Sequence, residues 1–117
     1  MSKVSVVFCP YEGRPHIMMT DGTVENLRRL VGGDRIRIIW ICPGIRLVLN
    51  EDEEDSLEHP NYHVHNGLYF GNVAFIGTAR RNAPYQSLKT DNLQWLIGAG
   101  YISPMDMQGG DSDATGV

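Results

Sequence analysis

Three histidines fall within seven positions, His59, His63 and His65, in the stretch HPNYHVHNG. On an extended chain His63 and His65 point to the same side, roughly 6 to 7 Å apart. Such a pair can chelate one transition-metal ion if a third ligand arrives, and His59 or an acid from 51–55 is close in sequence. Structural zinc sites normally offer thiolate pairs, however, and the two cysteines, Cys9 and Cys42, lie far apart in apolar segments. A histidine-rich loop facing solvent accounts for the same residues, so no metal and no other cofactor is expected. Two imidazoles can also act as acid and base on a phosphodiester in an H-x-S/T pairing, with Arg80 or Arg81 holding the phosphate. H-x-H occurs once, and the fourth histidine, His16, is followed two positions on by Met18, so the second half of that pairing is missing.

The acid run EDEED at 51–55 lacks the alternate spacing and glycine of a calcium loop. It reads as a solvated, self-repelling loop that keeps a neighbouring strand edge soluble and can meet a basic patch on a partner. GTARRN at 77–82 sets hydroxyl and guanidinium groups after a glycine and can hold an anion, but no Gly-rich loop leads from it into a helix. G-x-S-x-G, H-E-x-x-H and C-x-x-C are all absent. Cys9 and Cys42 each sit just before a proline in predicted apolar strands, where burial raises a thiol pKa and makes it inert.

The elements that must position these groups follow from period and punctuation. KVSVVFC at 3–9 is a β-branched run stopped by Pro10, and HIMMT returns as its hairpin partner after PYEGRP. From Thr23 the period changes: Val24, Leu27, Leu30 and Val31 share one face of a short helix. Thr23 or Asp21 caps it, Glu25 suits its positive end, Arg28 and Arg29 its negative end, and Gly32-Gly33 stops it. DRIRIIWIC alternates and then becomes wholly apolar, which predicts a strand whose second half is buried on both faces. IRLVLN returns after Pro43-Gly44.

A polar stretch of 17 residues follows, from Glu51 to Gly67, without apolar period. Loops of that length inside a compact domain tend to be functional or mobile. LYFGNVAFIGTA restores strand character, with Gly71 and Gly77 as bulge or close-approach positions. SLKTDNLQWLIGAG predicts a second helix, with Thr90 as its cap and Leu93, Trp95, Leu96 and Ile97 as its apolar face. The expected fold class is α+β: β-β-α-β-β-β-α, a mixed or antiparallel sheet of about five strands with two helices on one face. One domain is expected over 1–100, and the Gly, Ser and Asp-rich residues 101–117 as a disordered, flexible tail.

A chain of 117 residues with 42% hydrophobic content suits one core. Its net charge of −4 leaves no basic excess to neutralise a phosphate backbone, so general nucleic-acid binding is not expected. The N-terminus lacks the regions of a signal peptide, and no apolar stretch is long enough to span a bilayer. The expectation is a soluble cytoplasmic protein.

The order of features resembles a small domain-of-unknown-function family of bacteriophages, plasmids and conjugative elements. The likeness runs over residues 3–97. It rests on a helix ending in Leu27, Leu30, Val31, Gly32 and Gly33, on Asn50 with Glu51 at a turn, on the glycine-interrupted strand NGLYFGNVAFIGTA, and on Ser87, Leu88, Thr90 and Asp91 at a helix start. Lys89 interrupts the last motif, and the 50–66 loop is richer in acids and histidines than the family pattern. The resemblance implies a mobile-element accessory protein in a bacterial host, non-enzymatic, binding a host or anti-phage defence protein or a small nucleotide messenger, and carries over no catalytic residue. Binding is expected through the 50–66 loop, with His63 and His65 in it, and through Tyr62, Tyr69, Arg80 and Arg81, chosen because aromatic and arginine side chains anchor interfaces. A homo-oligomer would cover a free sheet edge. The alternative is a metal- or nucleotide-dependent hydrolase using His63 and His65.

Overall fold

The computed structural model describes residues 3–78 and 84–107. Six antiparallel strands form one sheet: β1 (Lys3–Cys9), β2 (His16–Asp21), β3 (Ile36–Cys42), β4 (Ile45–Asn50), β5 (Val73–Thr78) and β6 (Tyr85–Gln86). The spatial order is β2-β1-β5-β4-β3, with β6 joined to the far end of β5. Three helices complete the α+β fold: α1 (Val24–Val31), α2 (Glu51–Ser56) and α3 (Thr90–Gly98).

Side-chain alternation on the central strands produces two apolar faces, and both are covered. Val4, Val6, Val48 and Ile76 point one way and bury Leu27 and Val31 of α1. Each of those two helix residues contributes about 1.5–3 kcal/mol through burial. Val7, Leu47, Val73 and Phe75 point the other way, against Leu96 of α3 and the buried Val64 and Ile102. The expectation of helices on one face is therefore corrected. A central strand buried at every position, such as β5, needs cover on both sides.

α1 is built as its sequence predicts. The Thr23 hydroxyl accepts from the Asn26 N–H, and Gly32 closes the helix at φ +79°, a left-handed conformation that costs glycine nothing. Gly77 is a close-approach position: a Cβ there would lie 2.5 Å from the Ser87 carbonyl oxygen.

Four local expectations are corrected. The acid run is a helix, because the Asn50 side chain accepts from the Asp52 and Glu53 N–H groups and the acids that follow sit at the positive end of the dipole. Strand β5 begins only at Val73, since Leu68–Asn72 is occupied in closing a loop. The backbone of Lys89, not Thr90, precedes the first turn of α3, and its N–H donates to Asn92 Oδ1 at 2.9 Å. In β3 no residue is buried, whereas five of the six in β4 are, because β3 lies at the sheet edge.

The expected boundary at residue 100 also moves. The Tyr101 carbonyl accepts from the His65 N–H at 2.8 Å, and Ile102 is buried in the core, so the folded unit reaches at least Met107. The remainder of the expected tail, 108–117, lies outside the described residues.

Candidate functional site

The segment from His59 to Gly71 is a closed loop whose ends meet. At its neck the Gly71 N–H donates to the His59 carbonyl at 2.7 Å, the Asn61 N–H donates to the Tyr69 carbonyl at 2.8 Å, and Pro60 bridges Phe70. Loops of this kind hold their shape by packing their own side chains. Asn61 is buried and does most of the joining: its amide nitrogen donates to the carbonyls of Cys9 (2.8 Å) and Gly71 (2.9 Å), and its Oδ1 accepts from the His63 N–H (3.1 Å). Val64 inserts into the core from the loop's middle. The fixed backbone then presents Tyr62 outward, 74% exposed, with Leu68 at 68% on the returning arm.

Helix α2 buttresses the neck from outside. Glu54 Oε2 accepts from the Phe70 N–H at 2.8 Å, and Glu53 Oε1 lies 2.8 Å from His59 Nδ1. The Tyr11 ring rests against the His59 ring with centroids 4.8 Å apart. Glu53 holds the His59 pKa above its ordinary value, mainly through this hydrogen bond, against a smaller opposing effect of burial. Gly71, at φ +72°, leaves room for the Glu53 side chain, which a Cβ would meet at 2.6 Å.

The two histidines of the H-x-H pair do converge, though on a curled loop instead of a strand. His63 Nδ1 and His65 Nε2 lie 3.6 and 3.9 Å from the same oxygen, Oδ2 of Asp106. His63 Nδ1 is buried and makes no hydrogen bond. Among the described residues no group of three or more His, Cys, Asp or Glu side chains is arranged to hold a metal ion. Met105, next to Asp106, is 85% exposed, so an exposed side chain flanks the histidine–carboxylate contact on each of its two segments: Tyr62 beside His63 and Met105 beside Asp106.

Of the residues expected at the site, Tyr62, His63 and His65 share this surface. Tyr69 packs against the core and its hydroxyl approaches the Asn66 carbonyl at 3.5 Å, so it supports the loop from beneath. Arg80 and Arg81 lie outside the described residues. Asp106, Leu68 and Met105 complete the surface, with Glu53 and the buried Asn61 supporting it, and none of the five was singled out as a binding residue. An acid run following an asparagine cap would have signalled Glu53, whereas Asp106 carries no local signal of its partners.

A cavity of about 490 Å³ opens elsewhere, between Glu25, Arg28, Arg29, Gly33, Asp34 and Asp52. Three carboxylates offset its two guanidinium groups. Among the described residues no helix is long and apolar enough to cross a membrane. No family profile, curated protein or solved structure matches the chain.

Proposed function

We propose that the protein is a non-enzymatic accessory protein of a phage or other mobile element that acts in the bacterial cytoplasm by binding a host or defence protein through the 59–71 loop. One observation carries this reading: a large aromatic, Tyr62, stands exposed on a backbone held rigid by buried Asn61. Exposed aromatics on a preformed surface supply binding energy with little ordering cost. Leu68 and Met105 extend the apolar area, and the His63, His65 and Asp106 contact supplies a polar rim. A protein partner suits this surface better than a nucleotide, because the exposed groups are apolar and the large cavity offers a phosphate more acids than bases. The setting follows the resemblance in the sequence.

The test is affinity capture from a host lysate with the wild-type chain and with Tyr62→Ala and Leu68→Ala variants that fold normally. A host protein retained by the wild type and lost by both variants supports the reading. Equal retention by all three sinks it.

The convergence of His63 and His65 on Asp106 favours a second reading, a hydrolase in which the imidazoles exchange protons with substrate. Turnover of a phosphodiester or nucleotide that disappears in the His63→Ala/His65→Ala double variant would establish it in place of the first.

A further inference from the structure

The run IRIIWIC is among the most apolar in the chain, yet it forms the outermost strand, and among the described residues no strand pairs with its outer side. Four isoleucines and a tryptophan there are only half-buried or exposed. An apolar strand at the edge of a sheet templates further pairing unless charge or a bulge blocks it.

The direction of its main-chain groups follows from one hydrogen bond. The Arg35 carbonyl accepts from the Glu51 N–H at 2.8 Å, one step before the Ile36 and Asn50 pair. In an antiparallel ladder the N–H and C=O of one residue point the same way and alternate along the strand. Arg35, Arg37 and Ile39 therefore face β4, while Ile36 and Ile38 direct their main-chain groups away from it.

We propose that β3 pairs antiparallel with β3 of a second copy of this chain, about a two-fold axis at Ile38. In that register Ile38 lies opposite Ile38 of the second copy and Ile36 opposite its Trp40, while Arg37 lies opposite its Ile39. The strand is self-complementary in charge: no like charges face each other across the axis. The two arginines at its start are already engaged at home, Arg35 with Asp52 at 2.8 Å and Arg37 with Glu51 at 3.6 Å. Charged residues normally guard an edge strand, and here their charge is neutralised within the chain. The bulge between Trp40 and Cys42, followed by Pro43, limits pairing to a short stretch. A two-fold contact of this sort closes on itself and gives a dimer, not a fibre. Two short strands bury less than the roughly 1,200 Å² of a stable interface, so the dimer is weak and concentration-dependent. The proposal uses residues outside the 59–71 loop and stands independently of the proposed function.

Sedimentation of the wild-type chain across concentrations from low micromolar to near-millimolar tests it, with amide exchange followed in parallel. The expected result is an average mass rising toward twice that of one chain, with the Ile36 and Ile38 amides becoming protected only at high concentration. Ile38→Pro removes an N–H that faces away from β4, so it should leave the fold intact and keep the mass at one chain throughout. A wild-type chain that stays monomeric, a folded Ile38→Pro variant that still dimerises, or mass doubling without protection of those two amides overturns the proposal. Should Ile38→Pro fail to fold, the wild-type mass and amide protection alone decide it.

Discussion

His59 Nδ1 lies 2.8 Å from Glu53 Oε1, and this contact ties helix α2 to the neck of the loop that carries Tyr62. The Glu53 hydrogen bond raises the histidine pKa above the ordinary 6.5. A raised pKa in the fold means that the stabilisation is complete below the unfolded value and is lost as pH rises through the folded one. The loop neck should accordingly be tighter at pH 5.5 than at pH 8. A proton NMR titration of the His59 ring should give a midpoint above 6.5, and Glu53→Gln should lower it and flatten the difference in unfolding free energy between the two pH values.

Asn50 joins three elements at once. Buried at the end of β4, it caps α2 through Oδ1 and donates its amide to the Val31 carbonyl at 3.2 Å, at the last turn of α1. Asn50→Ala removes the cap and leaves a buried carbonyl unpaired, and urea unfolding should show a loss of about 2–3 kcal/mol. Gly33→Ala should destabilise through the same residue, because a Cβ there would sit 2.5 Å from the Asn50 amide nitrogen.

Asn50 also shows where local sequence stops being informative. Helix α1 is legible because its cap, apolar spacing and Gly32 stop all lie within a dozen residues and agree. The acid run after Asn50 has no apolar period, and its helix depends on a cap whose amide is held by Val31, far away in sequence. Strand existence is legible from β-branched content, but strand order is not. IRIIWIC and IRLVLN look equally core-like, and only the pairing of β4 with β5 makes one central and the other an edge. At the site, the H-x-H spacing puts the two imidazoles on one side of an extended chain, whereas they converge on a shared neighbour from a curled loop. The neighbour itself, Asp106, is supplied by a turn beyond α3, which the packing of Tyr101, Ile102 and Met107 into the core brings there.

The two thiols should differ in reactivity. Cys9 is fully buried and desolvation pushes its pKa far up, whereas Cys42 is only partly buried near the sheet edge and its pKa is raised by the same cause. Reaction goes through the thiolate, so burial protects twice, by access and by charge. Alkylation of the native protein followed by peptide mass spectrometry should label Cys42 slowly at neutral pH and faster as pH rises. Cys9 should be labelled only on global unfolding, at a rate that follows denaturant.

The sharpest separation of folding from recognition comes from neighbours Asn61 and Tyr62. Asn61 satisfies the buried Cys9 and Gly71 carbonyls and the His63 N–H, so Asn61→Ala strands three polar groups and should cost about 2–4 kcal/mol. A small domain has about 5–15 kcal/mol to lose, so the variant should remain folded. Its loop should not remain ordered: amide exchange over residues 60–70 should quicken while β4 and β5 stay protected. Tyr62→Ala removes a side chain that is 74% exposed, and its unfolding free energy should change by no more than about 0.5 kcal/mol. If the loop recognises its partner as a preformed surface, both variants lose binding for different reasons. Tyr62→Ala loses contact energy, seen as faster dissociation with unchanged association. Asn61→Ala keeps every contact residue but must order the loop on binding, so a surface plasmon resonance series should also show slower association and a larger unfavourable entropy. Equal binding by Asn61→Ala and wild type, with the loop exchanging freely, would mean that the buried asparagine serves the fold alone.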